Sequence, residues 1–162
     1  MMITLHEELD IIAHYLPILQ LRYNLIFSLI LHIDEACKKS LIPRMILQPL
    51  VENSIFHGIV PGGQDGVIEI TALNQQDAVI VSIRDNGIGM EPNRMNILTN
   101  LQSSQHFNEV GIGLKHVFEC IELYFPPGSE CSFHSEIGRG TTVTLKLVKQ
   151  RGPEHPGGEQ YV

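Results

Sequence analysis

A glycine-flanked, polar and irregular stretch runs from Gly87 to Gly113, with β-rich sequence before it and a helical repeat after it. Loops of this length are uncommon inside compact domains, and where they occur they usually serve as lids or binding loops. The chain must therefore build its regular elements on either side of one large insertion, and function is to be sought where that insertion meets them.

On the N-terminal side, Val67 to Leu73 and Val79 to Arg84 are β-rich runs joined by the polar turn Asn74 to Asp77, which predicts an antiparallel hairpin. On the C-terminal side, Leu114 to Tyr124 has helical spacing and stops at Pro126-Pro127-Gly128. Cys131 to Ser135 and Thr141 to Leu147 then predict a second hairpin around Gly138-Arg139-Gly140. Within the insertion the pattern allows at most a short helix near Met95 to Leu101.

Upstream, Leu5, Leu9, Ile12, Leu16, Leu19 and Tyr23 recur at three- and four-residue steps, with Thr4 as N-cap and Glu7 and Glu8 as first-turn acids. This predicts an amphipathic helix over Ile3 to Tyr23, kinked near Pro17. Alternation from Leu25 to Ile33 predicts a strand with one fully apolar face. Pro43 can open a second helix through Met45, Leu50 and Phe56, with Pro49 as a local irregularity and Pro61-Gly62-Gly63 as its end. The order helix, strand, helix, hairpin, insertion, helix, hairpin predicts an α+β fold, a two-layer α/β sandwich with a mixed β-sheet and helices on one face. The expected division is a helical segment over 1–24, a compact domain over 25–149 and a disordered tail over 150–162.

With 162 residues, 43% of them hydrophobic, the chain can bury one sizeable core. A net charge of −7 argues against binding nucleic acid or an anionic membrane surface, and a nucleotide bound here would need help from a metal ion. Cys37, Cys120 and Cys131 have no zinc-ligand spacing and read as reduced cytosolic thiols. The longest apolar run, Leu25 to Leu31, is far shorter than the roughly 20 residues of a spanning helix, so the chain is expected to be cytoplasmic and to make no direct membrane contact.

Three segments carry polar groups in places that invite chemistry. Asp85 follows directly on a predicted strand and precedes Gly87 and Gly89; its carboxylate can accept from an exocyclic amine, while the glycines allow the backbone close to a flat ring. Asp-Asn-Gly alone also reads as a simple turn. Gln48, Glu52 and Asn53 interrupt an apolar helix and offer the oxygen ligands that Mg2+ prefers, although Asn and Glu on such a helix commonly face water. Gly111 and Gly113 precede the helix Leu114 to Tyr124, whose free N-terminal amides suit an anion, with Lys115 in its first turn. Gly-x-Gly before a helix is equally a tight connection, and Lys115 equally a solvated surface lysine.

Taken together, an Asn-bearing helix, Asp-x-Gly-x-Gly, a lid, Gly-x-Gly-Leu and a late Gly-Thr resemble the Bergerat nucleotide-binding fold shared by gyrase, heat-shock chaperones, histidine kinases and mismatch-repair ATPases. Ile42-Pro43, Gln48-Pro49-Leu50-Val51-Glu52-Asn53 and His57-Gly58 look like the N-box of sensor histidine kinases of the LytS/YesM type. Glu8-Leu9, Tyr15-Leu16, Leu21-Arg22-Tyr23 and Gly138-Arg139-Gly140-Thr141-Thr142-Val143 resemble the same type. The resemblance implies an ATP-binding catalytic domain of a two-component system, with ATP and Mg2+ as cofactors. It implies that Asn53 holds the metal, with Glu52 supporting it as a second catalytic residue, and that Asp85 takes the adenine amine, joined through a water by Thr141. Gly87, Gly89 and Met90 would shape the adenine pocket, and Gly111, Gly113, Leu114 and Lys115 the phosphate side; His57, one turn beyond Asn53, could reach the phosphates and could equally cap a helix end or pack in the core.

Three departures stand out. Pro49 occupies the position of the water-activating Glu of the hydrolysing members, Phe56 that of a common basic residue, and His116 to Ile121 lacks the Asn and arginines of related kinases. The resemblance places the phosphorylated histidine before residue 1, on a dimerisation segment to which residues 1–24 would link, and a response regulator downstream. The apolar stripe of that linking helix would then have lost a partner. His6-Glu7 has the His-acid form of an acceptor but reads here as an exposed histidine, and the remaining scattered histidines carry no assigned role. The parent would be a membrane-anchored receptor. The alternative is a degenerate nucleotide-binding regulatory module without phosphotransfer.

Overall fold

The computed structural model describes residues 1–100 and 111–150. Residues 101–110 of the predicted lid and the whole tail from Arg151 lie outside the described residues.

After a short strand β1 (Met2–Thr4), helix α1 (Leu5–Tyr23) starts at a capping box: Thr4 Oγ1 accepts from the Glu7 amide at 3.2 Å, and the Glu7 carboxylate accepts from the Thr4 amide at 2.7 Å. It ends at Asn24, left-handed at φ 50°, and runs on through the exposed Pro17. Its apolar stripe does not lack a partner. Leu5, Leu9, Ile12, Leu16 and Leu19 are all buried in the same core as the rest of the domain.

Strands β2 (Phe27–Ile33), β4 (Gly66–Asn74), β5 (Ala78–Asp85), β6 (Glu130–Glu136) and β7 (Gly140–Val148) form one sheet in the order β2-β4-β5-β7-β6. Only β2–β4 pairs parallel, so the sheet is mixed, and both predicted hairpins are present. Ile68, Ile70, Val81, Ile83, Val143 and Leu145 point to the buried face, while Ser82 and Thr144 meet on the other at 3.3 Å. Helices thus cover one face, as the alternation predicts. The fully apolar face expected of β2 is only partly realised: Phe27 is buried, but Leu31 is 42% exposed, because β2 is an edge strand with a neighbour on one side.

The second helix departs from its prediction. Pro43 belongs to a short strand β3 (Leu41–Pro43) that pairs with β1, and Met45 then adopts φ 64°. The helix proper starts as α2 (Gln48–Asn53), continues through a π-helical turn (Ser54–Ile59) and finishes as α3 (Val60–Gly62), capped by left-handed Gly63. Pro49 therefore lies in the first turn, where its missing N–H is harmless, and is no irregularity. Pro61 stands in the first turn of α3, and the helix ends at Gly62 and Gly63, within the cluster that the sequence marks as its end. Helix α4 (Pro92–Asn100) lies in the insertion, and α5 (Ile112–Tyr124) follows it with Gly111 as N-cap.

Candidate functional site

Asp85 is the last residue of β5, paired with Thr141 of β7, and its side chain lies on the helix-covered side of the sheet. It is 2% exposed. Burial raises its carboxyl pKa, opposed by the Gly87 amide, which donates to Oδ1 at 2.9 Å, and then by Ser54 and the Thr141 backbone. Ser54 Oγ, on the π-helical turn, is buried and has no hydrogen-bond partner within 3.5 Å, so it acts on Asp85 as a nearby dipole. A buried carboxylate beside an unused hydroxyl is an arrangement that a polar ligand edge can complete.

Glycines bring these pieces together. A Cβ on Gly58 would stand 2.9 Å from Asp85 Oδ1, and one on Gly87 would overlap the Gly58 backbone. The close approach that Gly87 permits is thus to the N-box helix itself. Gly89 takes φ 75°, as its place in the turn requires, and its backbone presses on the Glu136 carbonyl. The loop is further stitched by Ile88 N–H to Gly58 O (3.0 Å) and Gly138 N–H to Ile88 O (2.8 Å). Gly140, at φ 101°, leaves room for the Asp85 carbonyl.

Thr141 is buried, with its hydroxyl 2.8 Å from Ser135 Oγ. Ser135 donates to Gly140 O (3.0 Å) and accepts from the Met90 amide (2.7 Å), so the proton between the two hydroxyls comes from Thr141. Thr141 keeps lone pairs for a further donor. Met90 is buried at the same corner.

The second half of the site lies one helical turn away. Asn53 closes α2 and is half-buried. Glu52 accepts from Gln48 Nε2 at 3.5 Å and stands beside Tyr15 of α1. Burial, then the Glu52 charge and its hydrogen-bonding contact, raise the Tyr15 pKa. His57 is exposed at its edge, yet partial enclosure and then the Arg94 charge hold its pKa below the ordinary value, so the imidazole is neutral at pH 7. Arg94, on α4, has its Nε buried without a partner. Gly113 is half-buried and lets α5 press on α2: a Cβ there would stand 3.0 Å from Pro49 Cβ. Leu114 is buried, Lys115 is exposed and pairs with Glu119 at 3.7 Å, and Gly111 is exposed with open space around it.

The structure brings Asp85, Gly87, Gly89, Met90 and Thr141 together where the ends of β5 and β7 meet the N-box helix, while Glu52, Asn53 and His57 lie along that helix, Glu52 beside Tyr15, and Gly113 packs on its first turn at Pro49. Sequence reasoning missed Ser54, Ser135 and Arg94. A serine or arginine carries no signature of its own; only burial and a missing partner mark it. Among the described residues no group of three or more His, Cys, Asp or Glu could hold a metal by itself. Nor is any described helix long and apolar enough to cross a membrane.

Residues 39–151 match the family described as histidine kinase-, DNA gyrase B- and HSP90-like ATPases. The chain belongs to that ATPase family. It is 33% identical over 145 residues to the sensor histidine kinase YesM of Bacillus subtilis, covering 90% of this chain and 24% of the relative. To the sensor protein kinase HptS of Staphylococcus aureus it is 29% identical over 150 residues, covering 93% and 29%. The chain thus spans about a quarter of the length of these relatives. Among solved structures, the catalytic domain of histidine kinase ThkA superposes with a TM-score of 0.67 at 17% identity, covering 92% of this chain and 95% of that one. A complex of ThkA with the response regulator TrrA matches with a TM-score of 0.61 at 15% identity, over 93% and 42%. The fold is that of a histidine kinase catalytic domain.

Proposed function

We propose that this chain is the ATP-binding catalytic domain of a two-component sensor histidine kinase, which transfers the γ-phosphoryl group of ATP to a histidine outside residues 1–162. The observation that carries the reading is the buried carboxylate of Asp85 beside the unpartnered Ser54 hydroxyl. The adenine amine donates to Asp85, and Thr141, its own proton spent on Ser135, accepts from a bridging water. Gly87 and Gly89 hold the loop that forms the pocket wall, and Met90 packs at its corner.

The phosphates then run toward Asn53, with neutral His57 and charged Arg94 on one side and Gly111, Gly113, Leu114 and Lys115 at the start of α5 on the other. One amide oxygen with phosphate oxygens and waters suits Mg2+, which is usually held by few protein ligands when it binds a nucleotide, so Asn53 fits that role. When bound, the ion supplies charge neutralisation for the phosphates. Glu52 supports the corner beside Asn53. The histidine nitrogen attacks the γ-phosphorus as the bond to the β-phosphate oxygen breaks, and ADP leaves. Positioning and fixed charges do the rest of the catalysis.

The partners that follow are the histidine-bearing dimerisation segment of the same protein, linked through residues 1–24, and a response regulator. ThkA's complex with TrrA supports the latter by analogy. A second reading, a regulatory nucleotide-binding module without transfer, is favoured by Phe56. That residue stands where related kinases often carry a base, and here it packs on Tyr23 at 5.9 Å.

Calorimetric titration with a non-hydrolysable ATP analogue tests the site. In Asp85→Asn the carboxamide oxygen keeps the Gly87 amide, leaving its NH2 to face the adenine amine, and affinity should fall about 30- to 100-fold. Equal binding by both proteins would remove Asp85 from the pocket.

A further inference from the structure

Glu8 is fully buried although the site described above leaves it no task. Its two oxygens are taken by backbone amides: Oε2 accepts from Met45 at 3.0 Å, and Oε1 from Leu47 and Gln48 at 3.2 and 3.3 Å. Those amides form the turn into α2, where Met45 is left-handed. Pro49 has no N–H, and the Leu50 and Val51 amides already bond to the Leu47 carbonyl, so Glu8 answers what remains of the helix start. Its charge also faces the positive end of the helix. Further along α1, Tyr23 packs on Phe56 with ring centroids 5.9 Å apart. One face of α1 thus touches both the beginning and the middle of the N-box helix.

We infer that Glu8 is a positioning residue for phosphoryl transfer: by holding the Met45, Leu47 and Gln48 amides it fixes the helix that carries Glu52 and Asn53 relative to the adenine pocket at Asp85. The inference rests on the nucleotide site proposed above. In Glu8→Gln one of the two amide groups must face an NH2, and the helix start relaxes. The adenine end is held by β5 and β7 and by the later turn of the same helix at Gly58, ten residues beyond the Gln48 amide.

The test is titration of the whole chain with the ATP analogue, with and without Mg2+. Glu8→Gln should bind within about threefold of the native protein without Mg2+, yet lose about tenfold of the gain that Mg2+ gives, the scale expected when a group supporting a ligand is removed. Leu9→Ala is the control: it truncates the neighbouring buried side chain, lowers stability, and should keep the Mg2+ gain. If Glu8→Gln does not fold, Glu8→Asp, which keeps the charge but withdraws it, carries the same comparison. A full Mg2+ gain in the Glu8 variant, or an equal loss in Leu9→Ala, overturns the inference. If the native chain shows no Mg2+ gain, or Asn53→Ala retains it, the metal assignment fails first and the inference falls with it.

Discussion

At the residue scale, Asp85 sets function against stability. Its carboxylate is buried, and burial raises its pKa above that of the unfolded chain, which is about 3.9. The folded state therefore holds the proton more tightly, so the stability this group contributes is complete below the unfolded pKa and is lost as pH rises through the raised folded value. Asp85→Asn has no such titration. Urea midpoints measured from pH 3 to 7 should show the native protein losing ground to the variant as pH rises; a native protein that gains relative to the variant would mean that the hydrogen bonds outweigh burial. The placement of Asp85 and Thr141 at strand ends and of Asn53 on a helix was legible in the sequence, because each stands beside glycines or within an apolar run. Ser54 and Arg94 were not, since what distinguishes them is an atom buried without a partner.

At the scale of elements, the long periodic segments were readable: α1, α5 and the two hairpins lie where their spacing puts them. Strands β1 and β3 hold three residues each, too few to show a period, and the π-helical turn has the same local composition as an α-helix. Proline misled at two positions because its effect depends on place: Pro43 sits in a strand, and Pro49 in a first turn. The two glycines before α5 separate packing from turn chemistry. Gly111 has φ −58° and open space around it, so Gly111→Ala should change stability by less than about 0.5 kcal/mol in urea denaturation. Gly113 stands against Pro49, and Gly113→Ala should cost about 1 kcal/mol net despite the better helix propensity of alanine. Equal behaviour of the two variants would show that α5 can move away from α2 freely.

For the molecule as a whole, family and fold class were legible because several weak motifs occur in one order, and their joint match outweighs each part. The covering of the α1 stripe was not, since an amphipathic face does not reveal what lies against it. Pro49 stands where hydrolysing relatives carry a carboxylate, and it is buried in the first turn of α2, with its Cβ 3.0 Å from where a side chain on Gly113 would begin. The chain alone should therefore turn over ATP slowly. With Mg-ATP and a separately supplied histidine-bearing dimerisation segment, radiolabel from the γ-position should appear on that segment as acid-labile phosphohistidine, and Asn53→Ala should abolish it. Steady hydrolysis without the segment would point to a gyrase-like cycle, and nucleotide binding with no label at all to a regulatory module.

The three amides gathered by Glu8 also bear on where this domain begins. The ATPase family match starts at residue 39, yet five leucine and isoleucine side chains of α1 are sealed into the core ahead of it. A protein cut at that boundary would present a bare apolar trough and an uncapped helix to water, and would tend to aggregate. The smallest piece worth expressing starts at or before Thr4, whose hydroxyl secures the first turn of α1.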